Sequence, residues 1–310
     1  MKNAVKPYRV YNFDFIGKFW IAAVVSIATF IIALGVIAVK GFNYGIDFAG
    51  GTEMQVKFSS ELDPSAVRGL VEKQGLKSFQ VQRFGEGNEY LIRFESQTGN
   101  SDKETNEFLK SDIEKITLAL KTEFSTQGAE IRRIDSVGPQ VGSQLKRNSI
   151  MAALYSLLLI LIYVSLRFDY KYAPGAVICL FHDAVVALGI LSLLGYEINI
   201  QVLAAILTLI GHSMNDTIVT FDRVRENEHK MRGAKLKDII NRSINEVLGR
   251  SLVTVFTTFL AVVALYMFAG GVIENFAFTM MIGLVLGVYS SIYVAAPLVV
   301  VFERFRTKMA

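Results

Sequence analysis

The apolar residues of this chain come in long blocks rather than in the short alternations of a soluble domain. Six stretches carry almost no charge: Phe19–Val39, Ile150–Leu166, Ala173–Tyr196, Ile198–Phe221, Ser251–Ile273 and Asn275–Phe302. A helix rises about 1.5 Å per residue, so about 20 apolar residues cross a hydrocarbon core. The pattern therefore predicts six transmembrane helices. Between the first two blocks it changes. Met54, Val56 and Phe58 alternate with Gln55 and Lys57, the period of a half-buried strand. Asp63-Pro64 supplies a cap and a first-turn proline for a helix whose apolar stripe is Val67, Leu70 and Val71. Phe79–Phe84 and Glu89–Phe94 read as a hairpin around Gly85-Glu86-Gly87-Asn88. A longer helix follows, with Leu109, Ile113, Ile116, Leu120 and Phe124 on one face, and Glu130–Val137 reads as a last strand. The order β-α-β-β-α-β predicts a small α+β domain of ferredoxin-like type.

Composition agrees with the blocks. Of 310 residues, 52% are hydrophobic and only 19% charged, with a mean hydropathy of +0.40; a soluble domain carries about 25% charged residues. A soluble single-domain enzyme is excluded. The single cysteine, Cys179, leaves no disulfide framework and no zinc site. There is no Walker A sequence, no H-E-x-x-H, no paired CxxC and no nucleophile elbow, so no covalent chemistry, ATP hydrolysis, metal or cofactor is expected. The first block is too long for a signal-peptide core and lacks an A-x-A exit, so it reads as a retained anchor.

Lys and Arg in short loops mark the cytoplasmic side. Lys2, Lys6, Arg9 and Lys18 precede the first block, Arg167 and Lys171 follow the second, eight basic residues from Arg223 to Arg250 follow the fourth, and Arg304, Arg306 and Lys308 end the chain. All fall on one side if both termini are cytoplasmic. The expected organisation is a cytoplasmic N-terminus (1–18), a first helix (19–39), an extracytoplasmic α+β domain (40–149), helices two to six (150–302) with a basic cytoplasmic loop at 222–250, and a cytoplasmic tail (303–310). That loop also holds Asp222, Glu226, Glu228, Asp238 and Glu246, which makes it a solvated amphipathic connector rather than a nucleic-acid site.

A carboxylate at the centre of a membrane helix costs about 2.5–3.5 kcal/mol on insertion scales and normally marks function. Two occur, Asp183 in the third block and Asp216 in the fourth. At 1.5 Å per residue they lie about 15 Å and about 8 Å from the cytoplasmic ends of their helices. Asp216 lies in Gly211-His-Ser-Met-Asn-Asp-Thr217, where His212 shares its face and Asn215 and Thr217 flank it. Arg250, at the entry of the fifth block, is a natural counter-ion for a carboxylate on a neighbouring helix. An acid and a guanidinium whose hydration or separation changes could take up and release a proton. Plainer readings stand beside this one: interhelical hydrogen bonding for the acids, an interfacial anchor for Arg250, a packed histidine for His212. Ser and Thr of the fifth block would bond back to their own helix, and Gly211, Gly283 and Gly287 would serve close helix packing.

The chain resembles the SecF family, the smaller half of bacterial SecD–SecF protein-export complexes. The resemblance rests on Gly45-Ile-Asp-Phe-Ala-Gly-Gly-Thr52, Val137-Gly-Pro-Gln-Val-Gly142, Phe168-Asp-Tyr with His182-Asp183, Asn215-Asp-Thr-Ile-Val219 leading into Phe221-Asp-Arg-Val-Arg-Glu-Asn227, and Ser243-Ile-Asn-Glu-Val-Leu-Gly-Arg-Ser-Leu252. His212 departs from the tyrosine common at its position, and Thr254-Val-Phe-Thr-Thr258 from the family's T-S-x-T-T. The resemblance implies one half of a twelve-helix unit of the resistance–nodulation–division type in the bacterial inner membrane. A SecD-like six-span subunit would supply the other half, with the SecY–SecE–SecG channel, often the small protein YajC, and a translocating polypeptide as further partners. It also implies proton-driven late-stage export, with Asp216, Arg250 and Asp183 as relay residues. Gly45, Asp47, Gly50 and Gly51 form the family's motif between membrane and outer domain; a plain turn, with Asp47 bonding locally, explains them equally. Two competing expectations are a half-unit of a proton-driven small-molecule or lipid exporter, and a purely structural subunit of the channel.

Overall fold

Inside hydrocarbon a backbone has no water to bond, so a charge-poor segment must satisfy its own N–H and C=O groups, which a helix does. In the computed structural model, which describes residues 11–76, 78–84, 87–95, 99, 102–167, 171–269 and 271–309, the elements run as follows. The first half holds α1 (Phe19–Lys40), β1 (Asn43–Tyr44), α2 (Ile46–Ala49), β2 (Gly51–Lys57), α3 (Pro64–Lys73), β3 (Phe79–Phe84), β4 (Glu89–Phe94), α4 (Asp102–Glu123) and β5 (Glu130–Val137). The second holds α5 (Pro139–Arg167), α6 (Ala173–Leu194), β6 (Glu197–Ile198), α7 (Ile200–Lys230), α8 (Leu236–Phe268), α9 (Gly271–Ser290) and α10 (Ala296–Met309), the last two joined by a π-helical turn at Ser291–Ala295. Gly85-Glu86 of the hairpin turn, Phe168-Asp-Tyr170, and the basic Lys2, Lys6 and Arg9 lie outside the described residues.

The chain forms two compact units, residues 1–43, 153–197 and 201–310 in one, and 44–152 with 198–200 in the other. The first is helical. Among its described residues six segments are long and apolar enough to cross a membrane; α6 is the most enclosed, α7 and the α9–α10 rod are half enclosed, and α1, α5 and α8 expose most of their apolar side chains.

The second unit is the expected α+β domain. Its sheet has the order β3-β4-β2-β5, antiparallel throughout, so each β-α-β step straddles one strand, as in a split β-α-β fold. Met54, Val56 and Phe58 are buried against Val67, Leu70 and Val71 of α3 and Ile116, Leu120 and Phe124 of α4. Period 2 in the strand and period 3.6 in the helices thus meet in one core. The Asp63 carboxylate accepts the Ser65 N–H at 2.9 Å and caps α3, a bond that holds its carboxyl below the ordinary Asp range.

Several boundaries differ from the sequence expectation. The helix expected to begin at Ile150 starts at Pro139, α7 runs past Phe221 to Lys230, and α8 begins at Leu236 rather than Ser251 and ends at Phe268 rather than Ile273. The basic segment 222–250 is therefore not a loop: only residues 231–235 leave the helices. The tail 303–310 is likewise helical as far as Met309. Backbone hydrogen bonding does not stop where hydrocarbon stops, and the emerging turns are tied by polar side chains. Arg223 bonds Glu246 at 2.6 Å, Arg242 bonds the same carboxylate at 3.0 Å, and Asn227 donates to Glu246 at 2.7 Å and to Ser243 at 3.0 Å.

Candidate functional site

Both intramembrane acids face protein, but their surroundings differ. Asp183, on α6, is fully buried. Its Oδ2 accepts the Ser213 hydroxyl of α7 at 2.7 Å and the Ser290 hydroxyl of α9 at 2.6 Å, while Oδ1 lies 3.1 Å from Nδ1 of His182. Three helices converge on one carboxylate, and each oxygen has a partner. Asp216, on α7, is 3% exposed, and its Oδ2 is buried without a hydrogen-bond partner. The Ser251 hydroxyl hydrogen-bonds the carboxylate, and His212 and Arg250 lie within its electrostatic reach. The carboxylate is only half compensated, because a buried acceptor left unmatched forfeits its hydration.

Arg250 is exposed and forms no salt bridge with Asp216 among the described residues; the nearby cation is offset rather than bonded. His212 is half-buried, Asn215 is exposed, and Thr217 is buried with its hydroxyl on the Ser213 carbonyl at 3.1 Å. Thr254, Thr257 and Thr258 bond back to carbonyls of α8, and Thr254 and Thr257 are exposed. Asp183 contacts α7 at Ser213, about one turn closer than Asp216 to the N-terminal end of that helix. The acids are thus staggered along α7.

Close packing explains two of the three glycines singled out in the sequence. A Cβ on Gly283 would lie 2.9 Å from Cβ of Leu209, and one on Gly287 3.3 Å from Cβ of Ser213, so α9 lies tight on α7. Gly211 departs from that expectation: among the described residues nothing beyond its own helix lies within 4 Å of its would-be Cβ. With Ala204, Thr208 and Asn215 it leaves a small and polar strip of α7 exposed.

The Gly45–Thr52 motif has a local geometry of its own. Gly50 and Gly51 have φ of 80° and 120°, and a Cβ on Gly51 would meet the Phe94 carbonyl oxygen at 2.9 Å. Gly142 approaches the Gly50 backbone, where a Cβ would be 3.0 Å from its nitrogen, so the two glycine motifs pack on each other. The Gly45 N–H donates to the Ile198 carbonyl at 3.0 Å. Asp47 Oδ2 accepts the N–H of Ile200, the first residue of α7, at 3.1 Å. A carboxylate at a helix N-terminus pairs an orphan N–H and opposes the positive end of the helix dipole. Asp47→Ala is expected to weaken this end by about 1 kcal/mol, the usual scale of a lost cap, and Asp47→Asn, which keeps an acceptor, by much less. Amide exchange of the Tyr196–Ile206 segment should accelerate several-fold in the alanine variant alone.

Three residues of these clusters were given no role in one dimension. Ser213 and Asn227 fall inside the motifs quoted above but only as members of a polar run and of a basic connector, and Ser290 reads as an ordinary span serine.

With this geometry in view, comparison with known proteins is specific. Residues 117–305 match the family model described as protein export membrane protein SecD/SecF, C-terminal, and residues 35–61 match the SecD/SecF GG motif, which spans Gly45–Thr52. The protein translocase subunit SecF of Calditerrivibrio nitroreducens is 40% identical over 96% of this chain and 96% of its own length. That of Magnetococcus marinus is 41% identical over 94% and 92%. The crystal structure of SecDF, a translocon-associated membrane protein from Thermus thermophilus, superposes with a TM-score of 0.81 at 34% identity; it covers 95% of this chain, which spans 39% of that longer one. Near-full-length identity at this level, two motif-level matches and the shared helical architecture lead to one assignment. The chain belongs to the SecF family of protein translocase subunits.

Proposed function

We propose that this chain couples the proton motive force to late-stage export of polypeptides across the bacterial inner membrane, with both termini cytoplasmic and no covalent chemistry of its own. Asp216 is the principal proton acceptor, Arg250 its gating counter-ion and Asp183 a second acid of the relay. The observation that carries this reading is the buried Asp216 Oδ2, mid-helix, with no hydrogen-bond partner among the described residues and a guanidinium within electrostatic reach. A group that only glued helices together would be expected to have its acceptors filled, and Asp216 does not. His212 and Thr217 are neighbours of this acid, Gly45 and Asp47 bond Ile198 and Ile200, and Gly50 and Gly51 turn the chain into β2.

The strip of Thr208, Gly211 and Asn215, together with Arg250 and Thr254, is too polar for lipid. That supports a heterodimer with a SecD-like six-span subunit laid over it, the assembly acting beside the SecY–SecE–SecG channel, with YajC as a further neighbour. One charge crossing 100 mV yields about 2.3 kcal/mol. This is enough to bias a two-state movement, but not to drag a chain across in one stroke.

The test is completion of export by a polypeptide arrested in the channel, in proteoliposomes holding channel, partner and this chain. An imposed proton gradient should speed completion, an uncoupler should remove that increment, and the exiting polypeptide should crosslink to the domain at residues 44–152. An increment indifferent to uncoupler would leave the structural-subunit reading. Proton-driven efflux of a hydrophobic drug without polypeptide crosslinks would leave the small-molecule exporter.

A further inference from the structure

The π-helical turn between α9 and α10 is unused by the reading above. Such turns insert one residue into the helical ladder and are frequent at functional sites. This one touches α6 at both ends. Ser290, immediately before it, donates to Asp183. At its far end the Ala295 carbonyl oxygen comes so close to α6 that a Cβ on Gly175 would lie 2.8 Å from it. Ser290 also has a second acceptor, the Gly287 carbonyl of its own helix, at 3.2 Å. A hydroxyl has one proton to donate. It can bond Asp183 or Gly287, and the charge on Asp183 decides which is better, because a hydrogen bond to an ionised acceptor is about twice as strong as a neutral one.

We propose that Asp183 and Ser290 form a proton-operated latch on the π turn, a role that rests on the proton-coupled reading above. With Asp183 ionised, the Ser290 and Ser213 hydroxyls both point to Oδ2 and hold the start of the π turn against α6. A proton entering the node adds to Oδ2 as an O–H. The Ser290 hydroxyl hydrogen then turns to the Gly287 carbonyl and the new O–H donates to Ser290 Oγ, so that a charge-assisted bond becomes a neutral one of about half its strength. Held more weakly there, the start of the turn shifts away from α6 while its far end stays against Gly175. Ser290 and Ser213 are positioning residues: they act through the carboxylate and carry no proton across.

The titratable groups facing the node are few. On α6 they are His182 and Cys179. On α7 Ser213 intervenes, with Asp216 and His212 further along the helix. On α9 the nearest is Tyr289, whose hydroxyl is engaged by Ser26 and the Ala22 carbonyl of α1. Among the described residues His182 Nε2 is buried without a partner, so no second acceptor there competes for that ring, and its Nδ1 stays with Asp183.

The latch is read as a distance. Spin labels at Ile178 of α6 and Val301 of α10, in the full chain with Cys179→Ala and reconstituted in nanodiscs, should report a distribution that shifts between pH 9 and pH 5. Asp183→Asn should hold the low-pH distance at both values. Ser290→Ala should abolish the shift, and Ser290→Thr, which keeps the hydroxyl, should restore it. Should Ser290→Ala misfold, Ser213→Ala, which removes one of the two hydroxyls holding Oδ2, should narrow the shift. A wild-type distance indifferent to pH, or one that moves equally in Ser290→Ala, overturns the latch and leaves the export assay untouched. Full proton stimulation of export in Asp216→Asn overturns the functional reading instead and leaves the distance measurement standing.

Discussion

Asp216→Asn is expected to fold, to copurify with the SecD-like partner at wild-type yield, and to lose the whole proton-dependent increment of export. The amide has nearly the shape of the acid and is fixed in the neutral state. At a site that is 3% exposed with one unmatched oxygen, two opposing terms decide stability. The amide NH2 takes the place of an unpartnered oxygen, which costs about 1–3 kcal/mol if it stays unpaired. Removal of an ionisable group from mid-helix relieves an insertion penalty of about the same size. They nearly cancel, so assembly should survive. Function should not. At about 2.3 kcal/mol per charge per 100 mV, a cycling proton biases a two-state equilibrium by about 50-fold, and an amide cannot be charged by it. The check is export completion with and without a gradient, scored beside copurification. An unchanged increment would mean that Asp216 is not the coupling acid, whatever its surroundings.

How much of this was legible beforehand depends on the physics behind each feature. The spans were legible because hydrocarbon tolerates few charges, and the outer sheet because alternating burial writes a period of 2 into Met54, Val56 and Phe58. Helix ends were not. A window free of charge measures hydrocarbon, while a helix goes on wherever its backbone bonds continue, as α7 does through Arg223 and Asn227 to Lys230. The two acids stood out through their insertion cost, yet their difference did not. It depends on Ser213 and Ser290, which lie 30 and 107 residues from Asp183; in a linear reading a span serine simply bonds the carbonyl four residues back. The π turn had a mark in Pro297, which has no N–H and whose ring would crowd the Tyr293 carbonyl four residues back, but a proline announces only an irregularity and not its π form. Gly211 shows the opposite error. Glycine in a span suggests a close crossing, but this one opens outward, and what lies over it is not encoded in this chain's own contacts.

Gly189→Ala should destabilise the helical unit by about 1–3 kcal/mol, the range for overpacking a tight interior, and Gly189→Leu by more. The reason is a single crossing. A Cβ on Gly189 of α6 would stand 2.4 Å from Cβ of Ala33 and 2.7 Å from its Cα on α1. Around that point Ala33, Val185 and Val186 are buried, with Phe30, Ile190 and Leu286 packed against them. Lipid tails are as apolar as these side chains, so no hydrophobic effect holds α1 in place; dispersion across close contacts and a few interhelical hydrogen bonds must do it. A gap of 0.5–1 Å already forfeits about a quarter to a half of a contact's attraction, and α1, mostly exposed elsewhere, has little other surface in contact. Detergent-denaturation midpoints of the purified chain would measure the effect. Gly35→Ala, on α1 itself with nothing within 4 Å, serves as the matched control and should stay within about 0.5 kcal/mol of wild type. Adding Ala33→Gly to Gly189→Ala should recover only part of the loss, because removing the Ala33 methyl leaves its Cα still too close. If Gly189→Ala matched Gly35→Ala, α1 would be held by its polar ties instead: Ser26 to Tyr289 at 2.9 Å and Lys40 to the Leu193 carbonyl at 2.6 Å.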